Sequence, residues 1–140
     1  MANTLGIIKP DAVRRKLAGQ IITRVETAGL ILRGMKVRCL TKEEAEKFYA
    51  VHEGKPFFHS LVEFMTSGPI VVMVIGGHDS IDRWRELMGA TDPAKAKYNT
   101  IRREFGTSIE KNVVHGSDSP ATAKTEVAFF FREDEILPKE

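Results

Sequence analysis

A lone cysteine, Cys39, has no partner for an intramolecular disulfide anywhere in the 140 residues. It shares an alternating segment with Met35 and Val37, opposite Lys36 and Arg38, and is expected to face inward from a strand as a reduced structural thiol. Long apolar runs are lacking as well. Ile70 to Ile75 is the most apolar stretch and is far too short for a membrane-spanning helix, while Met1 to Pro10 puts no charged segment ahead of an apolar run. A cytoplasmic protein without membrane association is the expectation. Nor does one sign of charge dominate: 21 Lys and Arg against 19 Asp and Glu leave a formal +2, so there is no polycationic arm and nucleic acid is not implied. Low-complexity tracts, internal repeats and Gly/Ser linkers are missing too, and at 42% hydrophobic composition residues 1–140 are expected to form one domain around a single core.

Several chemistries lose their usual devices. The chain has no G-x-x-x-x-G-K-[ST] loop and no G-x-G-x-x-G fingerprint, so a phosphate must be held by something other than a P-loop or a glycine-rich flap. It has no Cys/His cluster at metal-ligand spacing, no G-x-S-x-G elbow, and none of the aromatic strand signature with which related sheets bind RNA.

What is there alternates between strands and helices. Leu5 to Lys9 reads as a strand stopped by Pro10; Leu17, Ile21, Val25 and Ala28 recur at helical spacing until Gly29; Ile31 to Leu40 reads as the next strand. Thr41 and Glu44 have capping-box spacing and open a helix to about Val51, and Pro56 fits the first turn of another carrying Phe58, Leu61, Val62 and Met65. Ile70 to Ile75 suits a central strand, Gly76-Gly77 leads to a helix with Ile81, Trp84, Leu87 and Met88, and a short helix is expected around Ile101 to Phe105 within an otherwise irregular Gly89 to Asn112. Ser119-Pro120 opens a last helix, and Val127 to Phe131 is expected to be the final strand. This order predicts an α+β, ferredoxin-like βαββαβ fold: a four-stranded antiparallel sheet with additional helices.

One histidine stands out. In Asn112-Val113-Val114-His115-Gly116-Ser117-Asp118-Ser119, His115 falls between an apolar segment and a helix start, with Gly116 suited to a tight turn and hydroxyl and carboxylate groups nearby to fix a tautomer. Local chemistry leaves both a nucleophile and a solvated turn residue open. Lys9, at the end of an apolar strand, and Arg85 and Arg102 are cations that can serve a phosphate or simply cover surface.

The segment around His115 resembles the active-site signature of nucleoside diphosphate kinases. Ile7-Ile8-Lys9-Pro10-Asp11-Ala12-Val13, Lys55-Pro56-Phe57-Phe58, Met65-Thr66-Ser67-Gly68-Pro69, Gly89-Ala90-Thr91-Asp92-Pro93 and Thr100-Ile101-Arg102 are similar to further motifs of that family, in family order, from Leu5 to about Phe131. The resemblance, to bacterial members in particular, implies transfer of the γ-phosphate of ATP to nucleoside diphosphates by a ping-pong route through phosphorylated His115. Neutral imidazole, with an ordinary pKa of about 6.5, is nucleophilic near neutrality without a general base. It further implies that Lys9, Arg85 and Arg102 bind phosphate, Thr91 hydrogen-bonds a phosphate, Asn112 contacts the sugar hydroxyls and Phe57 stacks on the base. Ser117 and Glu126 are implied to orient the histidine, Tyr49 belongs with the catalytic set, and His52, Leu61 and Asp118 are secondary contacts. Mg²⁺ is implied as cofactor, carried in on the nucleotide phosphates with no direct protein ligand, and the subunits are implied to form a hexamer or tetramer. The sequence departs from the common family pattern at Tyr98-Asn99, where Pro-Gly is frequent, and at Arg103-Glu104, where Gly-Asp is frequent.

Overall fold

The computed structural model describes residues 3–137. Its sheet has the order β2-β3-β1-β4 and is antiparallel throughout, with β1 (Thr4–Ile8) and β3 (Ile70–Gly76) in the centre, β2 (Ile31–Arg38) at one edge and β4 (Val114–Gly116) at the other. The order is that of the ferredoxin-like α+β fold. Every residue of β1 and β3 is buried, as expected for strands covered on both faces.

Alternation along β1 and β3 sends their side chains into two cores. Leu5, Ile7, Ile70, Val72 and Val74 pack on α3 (Lys42–Phe48), α4 (Phe58–Met65) and α7 (Pro120–Phe130). On the other face Ile8, Val71, Met73 and Ile75 pack on α1 (Pro10–Arg14), α2 (Ala18–Thr27), α5 (Ser80–Met88) and α6 (Ile101–Phe105). Trp84 of α5 is wholly buried because Gly6 and Gly116 lie beneath it: a Cβ on Gly116 would come within 2.7 Å of the indole.

Three expectations need correction. Val127 to Phe130 is helix rather than strand, and the fourth strand is the three-residue segment around His115. A capping box from Ser119 and Thr122, with Pro120 in the first turn, starts α7, and Ala123, Val127 and Phe130 then fall on one buried stripe at helical spacing. The alternating face of β2 is also inverted: Met35, Val37 and Cys39 are exposed, whereas Lys36 and Arg38 turn toward α7, each cation lying over a phenylalanine ring, Phe131 and Phe130 respectively. Period-two patterning separates two faces of an edge strand without saying which is covered. Finally, Gly116 is an extended strand residue whose use is the close approach of Trp84, not a turn. Boundaries also shift: α3 ends at Phe48 before a separate 3-10 turn at Ala50–His52, Pro10 begins the short helix α1 instead of only ending a strand, β2 ends at Arg38 rather than Leu40, and α4 begins at Phe58, which leaves Pro56 ahead of its first turn.

The departures near residue 100 are accommodated locally. Asn99 takes a left-handed conformation (φ 69°), which asparagine tolerates far better than most residues, so it replaces glycine there. Arg24 of α2 donates to the Asn99 carbonyl (3.1 Å) and pairs with Glu104, while Arg103 reaches the carbonyls of Ala94 and Ala96.

Candidate active site

Antiparallel pairing of β4 with β1 sets His115 opposite Ile7, and therefore on the sheet face covered by α3, α4 and α7. The chain reaches that register through a strained turn. Val113 is fully buried with φ 79°, unusual for a β-branched residue, and the Val114 N–H donates to the Asn112 carbonyl at 2.9 Å, closing a γ-turn of the rare positive-φ type. The Val113 carbonyl in turn accepts from the Lys9 N–H at 2.8 Å. Strain of this kind persists only where surrounding contacts over-determine it.

His115 is held at one ring nitrogen and at its backbone. Nε2 lies 3.0 Å from Glu126 Oε1, and the same oxygen accepts from Ser117 Oγ at 2.7 Å. Ser117 is itself tied to β1, accepting from the Leu5 N–H at 3.3 Å. With Glu126 ionised, Nε2 carries the hydrogen and donates it, leaving the lone pair on Nδ1. Trp84 Nε1–H donates to the His115 carbonyl at 3.2 Å.

His115 borders a cavity of about 640 Å³ that is also lined by Lys9, Tyr49, His52, Leu61, Arg85, Thr91, Arg102, Asn112, Asp118 and Glu126. Eleven expected site residues thus meet here from six separated stretches of chain. Lys9 Nζ donates to Asn112 Oδ1 (2.7 Å), and Asn112 Nδ2 donates to the Thr91 carbonyl (2.9 Å), so one amide ties the end of β1 to the loop after α5. Burial, with the nearby Arg102 charge, lowers the Lys9 pKa to about 8 against the smaller opposing pull of Asp11 and Glu110. Arg102 is buried and spends its fork on three carbonyls: Gly89 (3.0 Å), Asn112 (3.3 Å) and Val114 (2.7 Å). Its pKa falls to about 10 through burial and then through Arg85. Arg85 sits nearer solvent, paired with Asp118 at 2.6 Å.

Tyr49 is buried with its ring edge-on to His115, and among the described residues its hydroxyl meets no hydrogen-bond partner; burial, then the Glu126 charge, raises its pKa. His52 Nδ1 is likewise buried and unpaired. Phe57 is not part of the cavity lining. It stands beside His52, ring centroids 5.2 Å apart, 46% exposed while its neighbour Phe58 is only 6% exposed. The two adjacent rings therefore point apart. Sequence reasoning missed Phe48, Val51, Met88, Ile109 and Thr122, which also line the cavity; Val51, in the 3-10 turn, and Ile109 are large apolar side chains left exposed, which only the structure reveals. Among the described residues no three His, Cys, Asp or Glu side chains gather as a metal site.

A histidine with one ring nitrogen held by a carboxylate and the other unencumbered, in a cavity bearing a lysine and two arginines, has the parts of a covalent phosphotransferase. Comparison with known proteins makes this specific. Residues 2–136 match the family model "Nucleoside diphosphate kinase". The chain is 56% identical over 133 residues to nucleoside diphosphate kinase 1 of Protochlamydia amoebophila, covering 95% of this chain and 94% of that one, and 53% identical to the Geobacter sulfurreducens enzyme, covering 98% and 100%. Among solved structures it resembles the Aquifex aeolicus nucleoside diphosphate kinase (TM-score 0.94, 44% identity, 97% and 99% covered). It equally resembles that of Halobacterium salinarum, solved in complex with CDP (TM-score 0.95, 44% identity, 99% and 92% covered). The chain belongs to the nucleoside diphosphate kinase family. Its activity is the family's: transfer of the γ-phosphate of ATP to nucleoside diphosphates through a phosphohistidine.

Proposed function

We propose that His115 is the residue phosphorylated and that Nδ1 is the attacking atom. The observation that carries this is the 3.0 Å contact of Nε2 with Glu126, which leaves Nδ1 as the only ring nitrogen with a free lone pair. The Nδ1 pair forms a bond to the γ-phosphorus as the bond from phosphorus to the β,γ-bridging oxygen breaks, and ADP leaves with that electron pair. Nε2–H stays on the imidazole, donating to Glu126, whose charge offsets the positive charge of the phosphorylated ring. A second nucleoside diphosphate enters the same cavity, its terminal oxygen attacks phosphorus, and the bond to Nδ1 breaks with its pair returning to the ring.

Phosphoryl transfer asks mainly for positioning and for positive charge around the equatorial oxygens. Lys9, Arg85 and Arg102 supply the charge, with Arg85 leaving Asp118 to do so, and Thr91 and the unpaired Tyr49 hydroxyl and His52 Nδ1 supply hydrogen bonds. Asn112 meets the sugar hydroxyls, Phe57 stacks on the base at the rim, and Leu61 completes the wall. That the Halobacterium salinarum relative binds CDP supports a nucleoside diphosphate in this cavity. Among the described residues Asp118 and Glu126 are the carboxylates lining the cavity, a donor set that fits Mg²⁺ arriving on the nucleotide phosphates, which Asp118 would meet through water. When bound, Mg²⁺ neutralises charge on the β- and γ-phosphates. We further take the protein to work as a single domain in the cytoplasm and as a hexamer or tetramer, to which the exposed Met35 and Val37 on edge strand β2 are suited.

The test is incubation with γ-labelled ATP and no acceptor. Label should stay on the protein in an acid-labile, alkali-stable bond and be chased by any nucleoside diphosphate, and initial-rate lines at fixed acceptor concentrations should be parallel. Substantial activity in His115→Gln would overturn the assignment.

A further inference from the structure

Phe48, the last residue of α3, has no part in the chemistry described above, yet its ring lies against four others of the site's framework. The ring is 5.6 Å from that of His115 at 69°, 4.9 Å from Tyr49 at 87°, 5.3 Å from Phe129 at 70° and 5.2 Å from Phe130 at 51°. These neighbours belong to the parts that carry the active groups. Tyr49 follows Phe48 directly, and Phe129 and Phe130 lie on α7, the helix that presents Glu126. Phe129 and Phe130 also meet each other at 4.9 Å, so the cluster is continuous from α3 across His115 to α7.

The contact with Glu126 fixes where Nε2 is, but one hydrogen bond tolerates tens of degrees of misalignment and leaves the imidazole able to pivot about it. An aromatic ring on the flank of the imidazole removes that freedom, because the edge-to-face arrangement is favoured over other tilts. From this geometry we infer that Phe48 is a positioning residue for His115: with Nε2 on Glu126, it holds the imidazole plane so that the Nδ1 lone pair is aimed at the phosphorus. The inference rests on His115 being the phosphorylated residue.

The test replaces Phe48 by Leu, which keeps most of the apolar volume and loses the ring, and by Tyr, which keeps the ring. Three quantities are read: the single-turnover rate of phosphorylation by γ-labelled ATP, the ADP dissociation constant, and the ratio of Nδ1- to Nε2-phosphohistidine by phosphorus NMR. Phe48→Leu should phosphorylate roughly 2- to 10-fold more slowly, the factor that one aromatic pair accounts for, with ADP affinity unchanged. Because Nε2 stays on Glu126, the phosphohistidine should remain the Nδ1 isomer in every variant, and Phe48→Tyr should restore the rate. If the Leu variant fails to fold, Phe48→Met is read the same way. A ringless variant with the normal rate, with a defect confined to ADP affinity, or with Nε2-phosphohistidine, which would mean that the tautomer and not the aim had changed, overturns the inference. His115→Gln run in parallel keeps the two failures apart: label on that variant overturns His115 as the acceptor, whereas label lost there with an unaffected Leu variant overturns only the role of Phe48.

Discussion

Removing the Glu126 carboxylate should slow phosphorylation of His115 and leave nucleotide affinity nearly unchanged. The contact at 3.0 Å joins two side chains that are 21% and 22% exposed, so solvent screening is limited and the pair counts as a hydrogen bond to a charged group. Such bonds contribute about 1.5–3 kcal/mol. The contribution grows as the ring becomes cationic in the transition state, so most of it acts on the barrier, and at 1.36 kcal/mol per decade it amounts to roughly 10- to 150-fold in rate. Glu126→Ala loses both the acceptor and the charge and should fall near the upper end. Glu126→Gln keeps an acceptor for Nε2–H without the charge and should fall near the lower end. Ser117→Ala, which frees the carboxylate from its 2.7 Å tether, should fall below both in severity. The assay is quenched-flow phosphorylation with γ-labelled ATP, alongside ADP binding by calorimetry. A normal phosphorylation rate in Glu126→Ala, or a defect seen only in ADP affinity, would refute the reasoning.

Lys9 binds phosphate only while protonated, and its pKa of about 8 implies that kcat/KM declines as pH rises through that value, by about tenfold per unit beyond it; a flat profile to pH 9 would contradict this. Phe57→Ala should weaken binding of every nucleoside diphosphate alike, by about 1–3 kcal/mol, with little change in melting temperature because the ring is 46% exposed; selective loss of one base would argue for hydrogen-bond readout instead. Arg102→Ala strips hydrogen bonds from three carbonyls and should lower stability to urea by about 3 kcal/mol as well as activity, and Arg102→Lys, lacking the fork, should recover only part; an unchanged urea midpoint would show the carbonyl contacts to be dispensable.

The sequence by itself determined the class of fold and named many of the residues that the structure brings to one cavity. β1 and β3 are legible because continuous apolar runs admit few alternatives, and α3, α5 and α6 because caps and helical spacing are local signals, set by residues three or four apart. Lys9, Thr91, Arg102, Asn112 and His115 stand in motifs that survive as short strings, so they could be named without coordinates. Where local signals compete, tertiary structure decided. Val127 to Phe130 has strand-forming residues, yet the upstream cap and a buried stripe on α7 make it helix, and that helix is what returns Glu126 to His115. Which face of β2 is covered depends on where the C-terminal segment packs, a contact spanning about a hundred residues of chain. The same holds inside the site. That Arg102 braces three carbonyls, that Phe48 flanks His115, and that Lys9 is acidified follow from distance and burial, quantities a linear pattern does not contain because they are created only when remote segments exclude water together.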